Sequence, residues 1–89
     1  MRNHSYVIHW ANTGDKESFG LLFKEYNRPI LSFVSSLIAS QSLAEELTQE
    51  AFLRLFRERL KFDSNRPLKP WLYRLARNLV MDHFRKKKE

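Results

Sequence analysis

Apolar residues recur at helical spacing along almost the whole chain. After Asp15, a residue type that favours helix starts, the apolar positions Phe19, Leu22, Phe23 and Tyr26 follow the i, i+3, i+4, i+7 pattern of a helix with one buried face. No stretch alternates apolar and polar residues convincingly, as a half-buried strand would, and glycine occurs only twice. The pattern therefore predicts an all-α fold.

Proline predicts one division within this helical pattern. Pro29 removes a backbone N–H and restricts the residue before it, so it should interrupt or kink the chain. Residues 30–38 then resume the apolar spacing and should form a second helix. An early helix near residues 6–10 is also predicted. Together these segments give a compact bundle of four to five helices.

Capping residues and prolines predict the limits of the last two helices. Ser42 and Glu45 have the spacing of a capping box, so the third helix should begin at Ser42. Residues 61–70 should form a loop, and Pro70 suits the first turn of the last helix. The inner stripe of that helix should comprise Leu72, Leu75, Ala76, Leu79 and Phe84.

Length and composition predict the class of protein. The chain has 89 residues, enough for one small domain, and it contains no cysteine, which excludes disulfides and thiolate metal sites. No apolar run approaches the roughly 20 residues that span a bilayer. The first residues also lack the apolar core of a signal peptide. We therefore expect residues 1–89 to form a single soluble, cytoplasmic domain without membrane insertion.

Enzyme chemistry is not indicated by the residues. His4, His9 and His83 do not have the spacing of metal ligands, and the carboxylates Glu46 and Glu50 are more simply a solvated acidic face. The sequence contains no glycine-rich phosphate loop, nucleophile elbow or HExxH motif. We expect a protein that is not an enzyme and that needs no metal and no cofactor.

Positive charge is concentrated at one end of the chain. The net charge is +6, yet residues 66–88 hold eight basic residues against one acidic residue, and the rest is slightly acidic. Such asymmetry predicts a polyanionic partner, either nucleic acid or an acidic membrane. A membrane-bound helix needs a free apolar face, whereas the last helix needs that face for the core. Nucleic acid is therefore favoured.

One face of the last helix carries the residues best suited to bind DNA or RNA. Arg74, Arg77 and Asn78 are neighbours on a helix, and Arg85 lies two turns beyond them. Most charged stripes are only solvated, but this one has a single sign and includes an asparagine that can read a base edge. Trp71 can stack on an unpaired base, while packing in the core is at least as well supported.

The third helix predicts a different kind of surface. When its leucines face inward, Glu46, Gln49 and Glu50 face outward, together with Phe56. An acidic face with an exposed aromatic ring is a candidate protein-docking surface.

Two segments together resemble a known family. AEELTQEAFLRLF, followed by WLYRLARNLVMDHFRK, is similar to region 2 of bacterial sigma factors of the sigma-70 type. The likeness is greatest to the extracytoplasmic-function (ECF, group IV) branch, and FGLLFKEYNRPILSF resembles the first core helices of that domain. The resemblance spans roughly residues 5–87. It implies a sigma region 2-like all-α bundle that recognises the promoter −10 element and melts DNA in transcription initiation.

The same resemblance implies two partners. In that family, the helix with the first motif docks on the clamp helices of the RNA polymerase β′ subunit. The polymerase-binding residues implied by motif position are Glu46, Gln49, Glu50, Phe52 and Phe56.

Promoter DNA is the other implied partner. In that family, the loop before the last helix captures a base of the single-stranded non-template −10 strand, and the last helix contacts neighbouring bases and phosphates. The DNA-binding residues so implied are Phe62, Asp63, Ser64, Asn65, Arg66, Lys69, Trp71, Arg74, Arg77, Asn78, Arg85, Lys86 and Lys87.

The chain departs from the family pattern in two places. Family members often carry aspartate where this chain has Leu43, a detail of the helix cap. ECF sigma factors also have a second helical domain that reads the −35 element and is absent from this sequence, so we expect a fragment or a stand-alone relative, and the terminal RKKKE favours a fragment. Two alternatives stay open: a helical DNA- or RNA-binding module that acts without polymerase, and a protein-interaction domain bound by an anti-sigma factor.

Overall fold

The computed structural model describes residues 5–63 and 65–87 and confirms the predicted all-α fold. Its elements in chain order are α1 (Ser5–Thr13), α2 (Lys16–Leu37), α3 (Gln41–Arg57), a 3₁₀ helix (Arg59–Lys61) and α4 (Leu68–Lys87). α2 packs against the other three α-helices, and α3 also packs against α4. None of the described helices combines the length and apolarity needed to cross a membrane.

α2 is one continuous helix of 22 residues, so the prediction of two helices separated at Pro29 is wrong. Leu22, Tyr26, Ile30 and Val34 are all buried, and their four-residue spacing continues one apolar stripe past the proline. An interior proline costs about 3 kcal/mol or more. Each buried apolar side chain contributes roughly 1.5–3 kcal/mol, so the core residues after Pro29 offset that cost.

The predicted N-cap of α2 is confirmed, and the predicted N-cap of α3 is wrong. The carboxylate of Asp15 accepts a hydrogen bond from the Ser18 N–H at 2.9 Å, which caps α2 as predicted. α3 begins earlier than predicted, because the N-cap is Ser40, whose Oγ accepts from the Leu43 N–H at 3.3 Å. Ser42 therefore lies within the first turn and does not cap the helix. A cap needs only an oxygen acceptor near the third amide, and Ser40 supplies it.

Three aromatic rings hold α1 against the rest of the bundle. Trp10 on α1 is 0% exposed, and its ring centroid lies 5.9 Å from that of Phe19 on α2 and 6.3 Å from that of Phe56 on α3. Phe19 and Phe56 meet edge to face at 5.1 Å. Such pairs contribute about 0.5–1.5 kcal/mol beyond the area they bury. The cluster therefore joins three helices at one point.

α4 buries the stripe that the sequence predicted, with one exception. Phe84 is 40% exposed and is not an inner residue, because it lies one turn beyond Val80, the last buried position that the structure describes in α4. The buried residues of the predicted stripe are Leu72, Leu75, Ala76 and Leu79.

The Asp15 cap should make the stability of the fold depend on pH at the acid end. Hydrogen bonds from the backbone and the hydroxyl of Ser18 hold the pKa of Asp15 below its ordinary value of 3.8. Because the folded pKa is the lower one, this stabilisation is complete above pH 3.8 and is lost as the pH falls through the folded pKa.

Urea unfolding of the wild-type chain and of Asp15→Asn tests this expectation. The amide cannot titrate but still offers an oxygen to the Ser18 amide. The difference in unfolding free energy between the two chains should shrink below pH 3.8. A difference that stays constant through that range would contradict the role given to the carboxylate.

Candidate nucleic-acid interface

The loop at residues 62–67 is organised around Asp63. The Asp63 carbonyl accepts a hydrogen bond from the Arg66 N–H at 2.9 Å, and its Oδ1 accepts from the Asn65 N–H at 3.0 Å. The Arg66 Nε lies 3.7 Å from Asp63 Oδ2. The carboxylate therefore acts within the loop as the acceptor that shapes the turn. Asp63 is exposed and stays a predicted DNA-binding residue, and these contacts show that it also supports the loop.

The aromatic residues on either side of this loop stack on each other. The ring centroids of Phe62 and Trp71 lie 5.8 Å apart with an angle of 15° between the ring planes. Both side chains are half-buried and pack against the core. The sequence left Trp71 between a core role and a binding role. The structure confirms that Trp71 packs against the core and shows that it also lines a cleft, while the binding role stays a prediction.

We call this depression the aromatic cleft; it has a volume of about 440 Å³. Trp71 and Phe62 form its apolar wall, and three cationic side chains surround it. Lys61 was not among the predicted site residues, although its position directly before Phe62 could have suggested it. The described residues that line the aromatic cleft are Lys61, Phe62, Asp63, Arg66, Pro67, Pro70, Trp71 and Arg74.

A second cleft, of about 580 Å³, lies on the other side of the loop. Val7 and Ile8 of α1 line it together with Pro29 of α2, and the loop side includes Asn65 and Lys69. The predicted loop residues are thus divided between two clefts, while Phe62 and Arg66 line both. The ammonium of Lys69 also lies 5.7 Å from the centre of the Tyr73 ring.

The remaining predicted DNA-binding residues lie along α4. Arg77 and Asn78 are exposed one turn beyond Arg74, as the helical spacing predicted. Arg85 is exposed and pairs with Asp82 at 3.3 Å, and Lys86 is exposed. Two predicted positions fall outside the described parts of the chain: all of Ser64, and the side chain of Lys87, whose backbone belongs to α4.

The outward face of α3 carries only part of the predicted polymerase-binding set. Glu46 and Gln49 are exposed. Glu50 is half-buried, and its carboxylate pairs with Arg57 at 3.2 Å. Leu53 is 55% exposed and was not predicted to face outward. It lies four residues after Gln49, so its place on that face follows from the helical period.

Phe56 does not face outward as predicted, and Phe52, which the family resemblance implied as a polymerase-binding residue, is buried. Phe52 is 2% exposed, and its ring lies 4.9 Å from that of Phe23 on α2. Phe56 is half-buried in the aromatic cluster with Trp10 and Phe19. Both phenylalanines bury large apolar rings where α2 and α3 pack together, which outweighs any display on the surface. Neither ring is freely available to a docking partner.

The chain is similar in sequence and in fold to known proteins. The family model Sigma-70 region 2 matches residues 22–89. The chain is 37% identical over 81 residues to the ECF RNA polymerase sigma factor SigW of Bacillus subtilis, which covers 91% of this chain and 43% of that protein. It is 34% identical over 80 residues to the ECF RNA polymerase sigma factor BldN of Streptomyces coelicolor, with coverages of 89% and 30%. The chain thus spans less than half the length of these relatives.

One solved structure shares the fold over nearly the whole chain. The NMR structure of an engineered region 2 of sigmaE in complex with GTAAAA matches with a TM-score of 0.85 and 29% sequence identity. The match covers 98% of this chain and 90% of the other. α1, which precedes the residues matched by the family model, is therefore included in the structural likeness.

Truncation of the neighbouring residues Phe52 and Leu53 should change the free energy of unfolding by very different amounts. Phe52→Ala empties a packed position and should lower the free energy of unfolding by about 3–5 kcal/mol. Leu53→Ala removes an exposed side chain and should change it by no more than roughly 0.5 kcal/mol. Urea titrations followed by circular dichroism give both values, and a costly Leu53→Ala would contradict the outward assignment.

Proposed function

The chain belongs to the sigma-70 region 2 family, and from that premise we propose that it recognises the −10 element of promoters as single-stranded DNA while bound to RNA polymerase. The role is regulatory, not catalytic: it selects and helps to open the promoter. The observation that carries the proposal is the aromatic cleft beside the exposed basic face of α4. The match to an engineered region 2 in complex with GTAAAA supports it.

The aromatic cleft has the properties that an unpaired base requires. Its volume of about 440 Å³ lies within the usual range of roughly 300–1,000 Å³ for small-ligand sites. The Phe62–Trp71 pair offers an aromatic surface, and base stacking contributes about 1–3 kcal/mol for each base. Lys61, Arg66 and Arg74 supply positive charge for the adjoining phosphates. A base in a duplex is withheld from such a cleft by pairing and stacking, so the proposal favours melted DNA.

The exposed face of α4 extends the proposed interface beyond this one base. Arg77 and Asn78 are placed to contact the next nucleotides, and the amide of Asn78 can both donate to and accept from a base edge. Arg85 and Lys86 lie farther along, where we assign them phosphate contacts that hold the strand in register.

We place the polymerase on the outward face of α3, at Glu46, Gln49 and the exposed Leu53. The family resemblance points to the clamp helices of the β′ subunit as the partner. An exposed leucine between polar residues suits an interface whose centre is apolar and whose rim is charged. An anti-sigma factor stays a further predicted partner.

DNA binding should depend on strand state and on Trp71. The chain should bind a fluorescent single-stranded GTAAAA oligonucleotide more tightly than the matching duplex, because the duplex must first be unpaired. Trp71→Ala should weaken binding to the single strand by about 1–3 kcal/mol, and Trp71→Phe by less, because it retains an aromatic ring. Fluorescence anisotropy measures the affinities.

Thermal melts of the Trp71 variants provide the control, since Trp71 also packs against the core. A loss of affinity in a chain that still melts cooperatively above the assay temperature is assigned to the cleft. Equal or tighter binding of the duplex would overturn base capture and leave a general DNA-binding module as the function.

Polymerase binding should depend on the outward face of α3. Glu46→Lys combined with Gln49→Ala should slow association with core RNA polymerase and weaken binding, by about 2–5 kcal/mol if a desolvated contact is lost. Both side chains are exposed, so the melting temperature should hardly change. Glu17→Lys, which reverses an exposed charge on α2, is the matched control. Surface plasmon resonance that shows equal losses for both variants would reject this face as the docking site.

A further inference from the structure

The 3₁₀ helix that leads into the loop is largely exposed, although it contacts α1 and α3. None of its three residues is buried. Leu60 is 75% exposed and Lys61 is exposed as well, whereas Arg59 is half-buried. Arg59 is therefore the side chain that ties this turn to the bundle, immediately before the wall of the aromatic cleft.

The guanidinium of Arg59 is held by the aromatic cluster of the core. Its central carbon lies 4.9 Å from the centre of the Phe56 ring, which is cation–π geometry. Its Nη1 donates a hydrogen bond to the Phe56 carbonyl at 3.1 Å. Its Nε is buried and has no hydrogen-bond partner among the residues that the structure describes. One N–H of a charged group is thus buried without a hydrogen bond, which has a cost in free energy and calls for a reason.

Gly14 closes the other side of this pocket. It has a φ of 71°, and its N–H donates to the Trp10 carbonyl at 2.7 Å where α1 ends. A Cβ at this position would lie 2.9 Å from Nη2 of Arg59 and 3.0 Å from its Cζ and Nε. The left-handed backbone favours glycine here, and the missing side chain leaves the space that the guanidinium occupies. α1 and the 3₁₀ helix meet through this pair.

We propose that Arg59 is a positioning residue for the aromatic cleft. Seated between Gly14 and Phe56, it fixes the 3₁₀ helix, and the Arg59 carbonyl accepts the Phe62 N–H at 3.0 Å. This seating of Arg59 between Gly14 and Phe56, which we call the lock, therefore sets the position of the Phe62 ring against Trp71 and the start of the loop. It makes α1 a support of the loop, although α1 lies outside the residues matched by the family model. The expected effect on DNA rests on the function proposed above, whereas the effect on the loop does not.

Amide hydrogen exchange in the absence of DNA tests the lock directly. The reporters are the N–H groups of Asn65 and Arg66, which are bonded within the loop. In Arg59→Met both should exchange several-fold faster, while amides in the middle of α2 keep their wild-type rates. Arg28→Met is the matched control, because it removes an exposed arginine on α2 and the same charge. Unchanged exchange at Asn65 and Arg66 in Arg59→Met would overturn the proposal.

DNA affinity separates positioning from charge. Arg59→Met should weaken binding to a single-stranded GTAAAA oligonucleotide several-fold more than Arg28→Met does. The slope of log K against log salt should stay the same, because Arg59 acts through the loop and not on a phosphate. A slope that becomes shallower by about 0.7 would indicate a lost phosphate contact and would refute the positioning role. If the wild-type chain fails to bind DNA, the proposed function fails, and the exchange rates still decide the lock.

Two further variants separate the shape of the Arg59 side chain from its charge. Arg59→Lys keeps the charge but not the planar group, so its loop amides should resemble those of Arg59→Met, and full restoration to wild type would reject the lock. Gly14→Ala should also accelerate loop exchange, because its methyl group enters the space of the guanidinium. If Arg59→Met does not fold, as judged by circular dichroism, Arg59→Lys takes its place under the same criteria.

Discussion

The burial of one stripe of α4 is the constraint on which the rest of the structure depends. Leu72, Ala76 and Val80 lie four residues apart and are 0% exposed, packed in the core where α4 meets α2 and α3. A helix is rigid about its axis, so burying this stripe fixes the direction of every other side chain on it. Arg74 and Arg77 therefore point outward, and both are exposed. The basic face therefore follows from the packing of the core, and no additional contacts are needed to orient it.

The aromatic cleft depends on how the two ends of its loop are held. Leu68, the first residue of α4, is buried, which anchors the end of the loop, while the 3₁₀ helix at Arg59–Lys61 holds its beginning. Between these points, the hydrogen bonds to Asp63 restrict the turn. Trp71 belongs both to the core and to the wall of the aromatic cleft, because it packs on the core and also stacks on Phe62.

Much of this could be predicted from the sequence, because helical periodicity reports directly on burial. The all-α class, the Asp15 cap and most of the α4 stripe follow from spacing alone. The prediction of two helices divided at Pro29 was wrong because a proline affects the backbone locally, whereas the buried residues on both sides stabilise one helix through tertiary packing. Phe56 was predicted on the outward face, whereas its ring packs against Trp10 of α1 and Phe19 of α2, contacts that the leucine spacing does not reveal. The partners of Asp63 and Arg59 could not be predicted, since they require the folded loop and the end of α1.

Charge separates the two proposed surfaces. α3 shows the carboxylate of Glu46 on its outward face, while the neighbouring α4 shows Arg74 and Arg77. At physiological ionic strength, exposed charges are screened over about 8 Å, and the domain measures 41 × 22 × 21 Å. Each partner therefore experiences mainly the surface that it touches. The proposed polymerase surface is acidic at Glu46, whereas the proposed DNA surface along α4 is basic. We propose that two partners can bind so small a domain at once because screening limits the influence of each surface charge to its own site.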